Sequence, residues 1–271
     1  MIRPSRGWVS IGLKELWSYR ELLYFFVWRD IKVRYKQTLL GAAWAVIQPL
    51  LIVAVFTLLF STVAGLTYPV AAPVYIYAGM LPWNLFAKGL TEGGTSLVSN
   101  QRLVTKVYFP RLILPAAAVL SGLVDFAIAF AVFVGLMLYF GIVPSILILT
   151  VPLFVAVAVF AAVGIACWLS AIDANYRDVR YAVPFLAQLW FFATPVAYPL
   201  DQLLNKIPTN WRWIVGLNPM TSVVDAFRWA SLGQPISFDL PLVLSIVLVA
   251  VVFVGGLYYF RRAERVFADL V

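Results

Sequence analysis

From Leu39 to Ala87 the chain carries not one Asp, Glu, Lys or Arg, an uncharged run of 49 residues. A helix needs about 20 mostly apolar residues, rising ~1.5 Å each, to cross a hydrocarbon core ~30 Å thick. The run is long enough for two crossings, and GLTYPVAAP (Gly65–Pro73) gathers turn-forming residues where they part. Leu112–Ile172 repeats the pattern with Asp125 as its single charge over 61 residues, and its turn falls near Gly141–Pro144. Tyr181–Leu200 and Leu240–Phe260 add uncharged runs of 20 and 21 residues. Six spans are predicted, at about 39–64, 74–98, 113–139, 146–172, 181–200 and 240–260.

Composition agrees. The 271 residues are 63% hydrophobic and 12% charged, against ~25% charged in soluble domains, so an all-α membrane protein is expected. A net charge of +8 would suggest nucleic acid in a soluble protein. Here it follows from the excess of Lys and Arg on cytoplasmic loops, and no nucleic-acid partner is expected. Sixteen of the 20 basic residues fall in four places: eight up to Lys36, three between Arg102 and Arg111, Arg177 and Arg180, and three from Arg261. That distribution puts both termini in the cytoplasm. The start, MIRPSRGWVS, lacks the layout of a cleaved signal peptide.

Residues 1–38 read as a cytoplasmic N-terminus bearing an interface helix, 39–260 as the transmembrane domain and 261–271 as a cytoplasmic tail. In the interface helix, Leu13, Trp17, Tyr24, Trp28, Ile31 and Tyr35 share one stripe, while Lys14, Ser18, Glu21, Arg29, Lys32 and Lys36 share another. Such a helix lies flat, rings in the acyl boundary and cations among head groups. Arg29, Lys32, Arg34 and Lys36 each gain about 1 kcal/mol against an anionic leaflet. Between spans five and six, Asp201–Asp239 mixes Pro208, Pro219 and Pro235 with Trp211, Trp213 and Trp229. It is too polar to cross and too apolar to float, which predicts re-entrant or interfacial helices.

Few residues can carry chemistry. Histidine is absent and Cys167 is the single cysteine, in an apolar run, so no metal site or disulfide is expected. Lys88 and Glu92, four apart in span two, and Asp125 in span three are charges at membrane depth and hence functional candidates. The plainer expectation pairs Lys88 with Glu92 and leaves Asp125 to a neighbouring span. GLTEG (Gly89–Gly93) is a small-xxx-small notch for close helix approach. A GxxxxGK[ST] phosphate loop is missing, so the chain itself has no such ATP site. Aromatics bunch at Tyr75, Trp83 and Phe86 in span two and at Trp190, Phe191, Phe192 and Tyr198 in span five. Ring faces of this kind pack against each other or against the CH faces of sugars.

Five stretches then resemble one family in matching order: FFVWRDIKVRYKQTLLGAAWAVIQPLL (Phe25–Leu51), NQRLVTKVYFPRLILP (Asn100–Pro115), DANYRDVRY (Asp173–Tyr181), WFFATPVAYP (Trp190–Pro199) and LNPMTSVVDAFRW (Leu217–Trp229). They resemble the type-2 ATP-binding-cassette exporter permeases of bacteria, and most of all the branch exporting O-antigen, teichoic acid and capsular polysaccharide. The resemblance implies a homodimer of six-span subunits in the inner membrane, joined to two copies of a separate ATP-binding subunit that holds ATP and Mg. It implies a coupling helix at Leu103–Pro110, with Leu103, Val104, Lys106, Tyr108, Phe109 and Pro110 toward that partner. It also implies re-entrant helices over roughly Leu203–Leu232 and an undecaprenyl-pyrophosphate-linked glycan as substrate. Arg29, Lys32, Arg34 and Lys36 then become candidates for drawing in the pyrophosphate, and the seven aromatics for lining a sugar channel. The chain has no cofactor of its own on this reading and is no enzyme. The alternatives are a drug or small-lipid exporter of the same architecture and a proton-coupled transporter working through Lys88, Glu92 and Asp125.

Overall fold

A computed structural model describes residues 13–36, 43–176, 178–235 and 240–264. The start with Arg3 and Arg6, the junction of interface helix and first span at 38–39, Arg177 and the tail from Arg265 lie outside the described residues. Among the described residues every regular element is helical, and the chain runs through them in the predicted order.

Two helices, α1 (Leu13–Ser18) and α2 (Arg20–Tyr35), precede α3 (Ala43–Phe56), which continues as a π-helix over Thr57–Val63. Next come α4 (Ala72–Lys88), a π-turn at Gly89–Gly93, and the short helices α5 (Ser96–Ser99) and α6 (Gln101–Lys106). The long α7 (Ile113–Tyr139) follows, then α8 (Val151–Asp173) behind a 3₁₀ turn at Ile146–Thr150. After α9 (Val179–Ala193) come the small α10 (Leu200–Lys206), a 3₁₀ stretch at Thr209–Leu217, α11 (Pro219–Leu232) and finally α12 (Leu240–Ala263).

Four stretches among the described residues are long and apolar enough to cross a bilayer: Val46–Val63, Ile113–Tyr139, Ile146–Asp173 and Leu240–Ala263. The expected second and fifth spans depart from simple rods. Past Lys88 the helix widens into the π-turn, where Thr91 and Thr95 hydroxyls donate to the carbonyls of Ala87 and Thr91, four residues back. Such back-bonding loosens the ladder. Span five, expected over 181–200, ends at Ala193. The fifteen residues of α9 reach only ~22 Å at ~1.5 Å each, short of the ~30 Å core. Pro195 explains the stop: it has no N–H for the ladder and drives Thr194 into an extended conformation (φ −100°, ψ 138°).

Helix α8 is the axis of the bundle. On one side the GLTEG notch meets it: a Cβ on Gly89 would lie 2.7 Å from the Ala162 Cβ, and one on Gly93 2.7 Å from the Ala166 Cβ. The small-xxx-small reading is therefore realised as close packing inside one protomer. On the other side a Cβ on Gly256 would sit 2.2 Å from the Gly164 carbonyl oxygen, so α8 and α12 run backbone to backbone. Trp168 closes this seam, stacked on Tyr259 at 4.6 Å. Cys167 is buried here as a packing residue. A cluster of rings fills the space between α4, α7 and α11: Tyr77 on Phe133 at 6.0 Å, with Phe227 meeting Phe126, Phe130 and Phe133 at 6.2 to 6.3 Å.

Candidate functional site

Helix α2 presents three faces rather than two. Phe26 is buried against the bundle, and Asp30 and Arg34, one and two turns on, share its side. Tyr24 and Trp28 stand out on the far side, as Trp17 does on α1, where an aromatic stripe facing lipid was expected, but Tyr35 of that stripe turns inward to Asp125. Lys32 and Lys36 are exposed, Lys32 lying 5.3 Å over the Trp28 ring. The four cations expected to face an anionic leaflet are not alike. Arg29 bonds its neighbour Asp30 at 2.8 Å and covers the Phe26 ring at 4.7 Å, and Arg34 turns inward.

Arg34 enters a charged knot built from three helices. Its guanidinium donates 2.8 Å bonds to Glu92 on the π-turn and to Asp125 on α7. Asp125 also accepts from the Lys88 ammonium and the Tyr35 hydroxyl. The anticipated Lys88–Glu92 pair does not form; Lys88 reaches across to α7 and Glu92 to α2. The cause is local. The π-turn begins at Gly89, so the regular i,i+4 geometry that would set Glu92 beside Lys88 is replaced there by a wider turn. Two cations thus meet two carboxylates, leaving the knot without net charge. Burial first, then the bond to Asp125, push the Tyr35 hydroxyl up to about 12.

Two cavities flank Arg34. A pocket of about 300 Å³ lies toward the membrane interior between α2, α3, α4 and α7. A cavity of about 510 Å³, lined by Arg29, Glu92, Ser99 and Asn100 among others, lies on the opposite side. Arg34 is common to both linings.

The expected coupling segment is a single short helix, α6, followed by an extended Val107. Tyr108 is 85% exposed and Lys106 stands out beside it, whereas Val104, Phe109 and Pro110 are buried and Leu103 half-buried. Of the six residues expected to face a partner, Lys106 and Tyr108 are therefore the ones presented. Phe109 is the inward anchor, its ring 5.7 Å from that of Phe26 on α2. Just beyond, the Arg111 backbone N–H and guanidinium donate to Glu264 at 3.1 Å. Arg261 bonds Glu264 at 2.9 Å and Glu15 on α1 at 3.2 Å. The loop, the N-terminal helix and the end of α12 are thus tied together.

The aromatic expectations divide. Tyr75, Trp83 and Phe86 are buried inside the protomer, so they serve as core and not as an open lining. Phe86 stands edge-on to Trp190 at 5.2 Å, and Phe191 stacks on Phe56 at 5.3 Å while meeting Trp83 at 5.7 Å. Phe192 is exposed, and the half-buried Tyr198 donates from its hydroxyl to the Phe192 carbonyl at 3.0 Å. A ring's identity does not tell packing from lining; burial does.

Arg228 and Asn218, which sequence reasoning passed over, hold the broken end of α9. Arg228 is fully buried on α11, donates to the Pro195 carbonyl at 2.7 Å and to that of Val196, and lies 3.8 Å over the Tyr75 ring. Asn218 caps α11 through Met220 N–H at 3.0 Å, accepts from Trp190 Nε1 at 3.0 Å and donates to Thr194 Oγ1 at 2.8 Å. The signal was present in LNPMTS, a cap residue followed by a first-turn proline, with Asp225 and Arg228 as charges three apart further along the same helix.

The sequence profile of the ABC-2 type transporter family matches residues 21–232. The chain belongs to the ABC-2 type transporter family. Among its relatives is the O-antigen export system permease protein RfbA of Myxococcus xanthus, 33% identical over 80% of this chain and 82% of that protein. The RfbA of Klebsiella pneumoniae is 28% identical over 97% of this chain and its own whole length. The polysialic acid transport protein KpsM of Escherichia coli is 24% identical over 87% of this chain and 91% of its own. Within this ABC-2 family member the matched region runs from the first turn of α2 to the last of α11, taking in the charged knot, the coupling segment and the Arg228 anchor.

Proposed function

We propose that this chain is the permease of an ATP-driven exporter that carries a lipid-linked polysaccharide out of the bacterial cytoplasm. The observation that carries the reading is the end-to-end likeness to an O-antigen export permease, which leaves no long segment unmatched on either chain. Two copies of the chain and two of a separate ATP-binding subunit form the working unit in the inner membrane, with ATP and Mg on the latter. Six crossings put both termini in the cytoplasm, with α4 completed through its π-turn and the short α9 completed by the segment that Arg228 holds.

Lys106 and Tyr108 meet the ATP-binding subunit, a role supported by their exposure on a loop rooted by Phe109. ATP-driven closure of the partner pushes this loop, and the two permease halves rock against one another. Lys32 and Lys36 attract the pyrophosphate of the carrier lipid, since Arg29 and Arg34 are already engaged by carboxylates. Burial of Tyr75, Trp83 and Phe86 withdraws them from any sugar path, so the polysaccharide reading rests on the relatives and not on an aromatic channel.

Proteoliposomes holding the permease with its ATP-binding subunit are expected to translocate the extracted lipid-linked glycan when ATP and Mg are supplied, and those holding the permease alone to remain inactive. Sustained uphill transport by the permease alone would overturn the proposal. Lys32→Gln with Lys36→Gln is expected to slow translocation severalfold while complex assembly stays intact.

A further inference from the structure

The smaller cavity beside Arg34 has a lining that neither the charged knot nor ordinary helix packing accounts for. Trp44 and Gln48 on α3 and Asn84 on α4 border it together with Tyr35, Lys88 and Asp125. Trp44 is 52% exposed, and the Gln48 and Asn84 side chains are exposed too. Among the described residues neither amide has a hydrogen-bond partner. Gln48 nonetheless belongs to a stretch apolar enough to cross the bilayer. Where acyl chains reach an amide it is costly, since hydrocarbon offers it neither donor nor acceptor. A lipid tail alone therefore fails to satisfy this wall.

Charge narrows the ligand further. Arg34 and Lys88 are answered by Asp125 and Glu92, which leaves the pocket no surplus charge for a free phosphate. What remains is an indole face and two amides, each amide able to donate and accept at once, set in a mostly apolar wall that includes Ile52, Leu81, Leu85 and Phe126. Hydroxyl-rich rings present the matching set: alternating donors and acceptors around the edge and an apolar CH face for a flat aromatic. The volume of about 300 Å³ sits at the small end of the ~300–1,000 Å³ found for small-molecule pockets, which suits one sugar unit and not a long chain.

We infer that this pocket is a sugar-binding subsite in which one ring of the exported glycan rests on Trp44 and is hydrogen-bonded by Gln48 and Asn84. It rests on the polysaccharide-export reading above and deepens it. It gives the permease itself a hold on the sugar beside the interface helix, in place of the buried rings of α4. The charged knot forms its floor, so a bound sugar and the position of Arg34 are felt by one another.

The test compares two probes on the assembled complex of permease and ATP-binding subunit in lipid nanodiscs: the lipid-linked glycan extracted from cells that make it, and undecaprenyl pyrophosphate bearing no sugar. Wild type is expected to prefer the glycan-bearing lipid. Trp44→Leu, and Gln48→Ala with Asn84→Ala, are each expected to cut that preference about tenfold, the equivalent of one or two hydrogen bonds, while affinity for the bare lipid stays level. Trp44→Phe, which keeps a ring face, is expected to retain most of it. If Trp44→Leu fails to assemble with the ATP-binding subunit, Asn84→Ala alone decides. A preference undiminished in these variants, or equal affinity of wild type for the two probes, overturns the subsite and leaves the export reading standing. A wild-type complex that binds neither probe overturns both.

Discussion

Asp125 is the residue on which the charged knot converges, because one carboxylate accepts hydrogen bonds from Lys88, Arg34 and Tyr35. Removing one member of a half-buried set leaves the others without partners, and that loss exceeds the net worth of any single bond. Asp125→Asn is therefore expected to lower the unfolding midpoint in detergent more than Glu92→Gln, since exposed Glu92 receives Arg34 alone. Equal losses would contradict this assignment. Tyr35 gives the knot a signature in pH. Its hydroxyl holds its proton to about 12, whereas a free tyrosine releases it near pH 10. The unfolded chain thus binds fewer protons than the folded one between those values, so the contribution of Tyr35 is complete below about pH 10 and falls away toward pH 12. Tyr35→Phe is expected to cost about 0.5–1.5 kcal/mol at neutral pH and to flatten that alkaline decline in thermal-shift measurements.

At the scale of elements, the loop between α4 and α7 separates two jobs that adjacent rings perform. Phe109→Ala removes a buried ring set against Phe26, and a cost of about 3 kcal/mol is expected from the cavity left behind. Tyr108→Ala is expected to leave the unfolding midpoint unchanged while weakening capture of the ATP-binding subunit in a pull-down. The broken end of α9 offers a second contrast. Arg228→Lys keeps a cation, but an ammonium lacks the planar fork that reaches the Pro195 and Val196 carbonyls together. Its unfolding midpoint is expected to drop nearly as far as that of Arg228→Ala.

These elements were unevenly legible. Span three appeared with both its ends because Leu112–Ile172 is apolar enough to leave one reading. The helix of span five stops short of the stretch expected for it: an uncharged count ignores Pro195, and the arginine that makes the break tolerable lies 33 positions away. The Lys88 partner was misjudged for a similar reason, since regular i,i+4 spacing presumes an α-helix where a π-turn intervenes. Trp44, Gln48 and Asn84 become a group only once α3 and α4 meet, and no local pattern announces that.

Across the whole molecule, the interface helix is fastened at two points. Near its start Phe26 bears on Phe109 of the loop, and at its end Arg34 and Tyr35 grip Asp125 of the bundle. Eight residues of continuous helix separate Phe26 from Arg34, a rigid rod of ~12 Å. On the mechanism proposed above, a shove delivered to this loop by an engine outside the membrane thus arrives at the middle of α7 by a second road, along the interface helix. The rod has no slack, so it transmits direction as well as force, and its failure point can be chosen. Ile31→Pro, which snaps the rod between its two fastenings while sparing every residue that makes them, is expected to let the ATP-binding subunits keep hydrolysing while the cargo stays where it is.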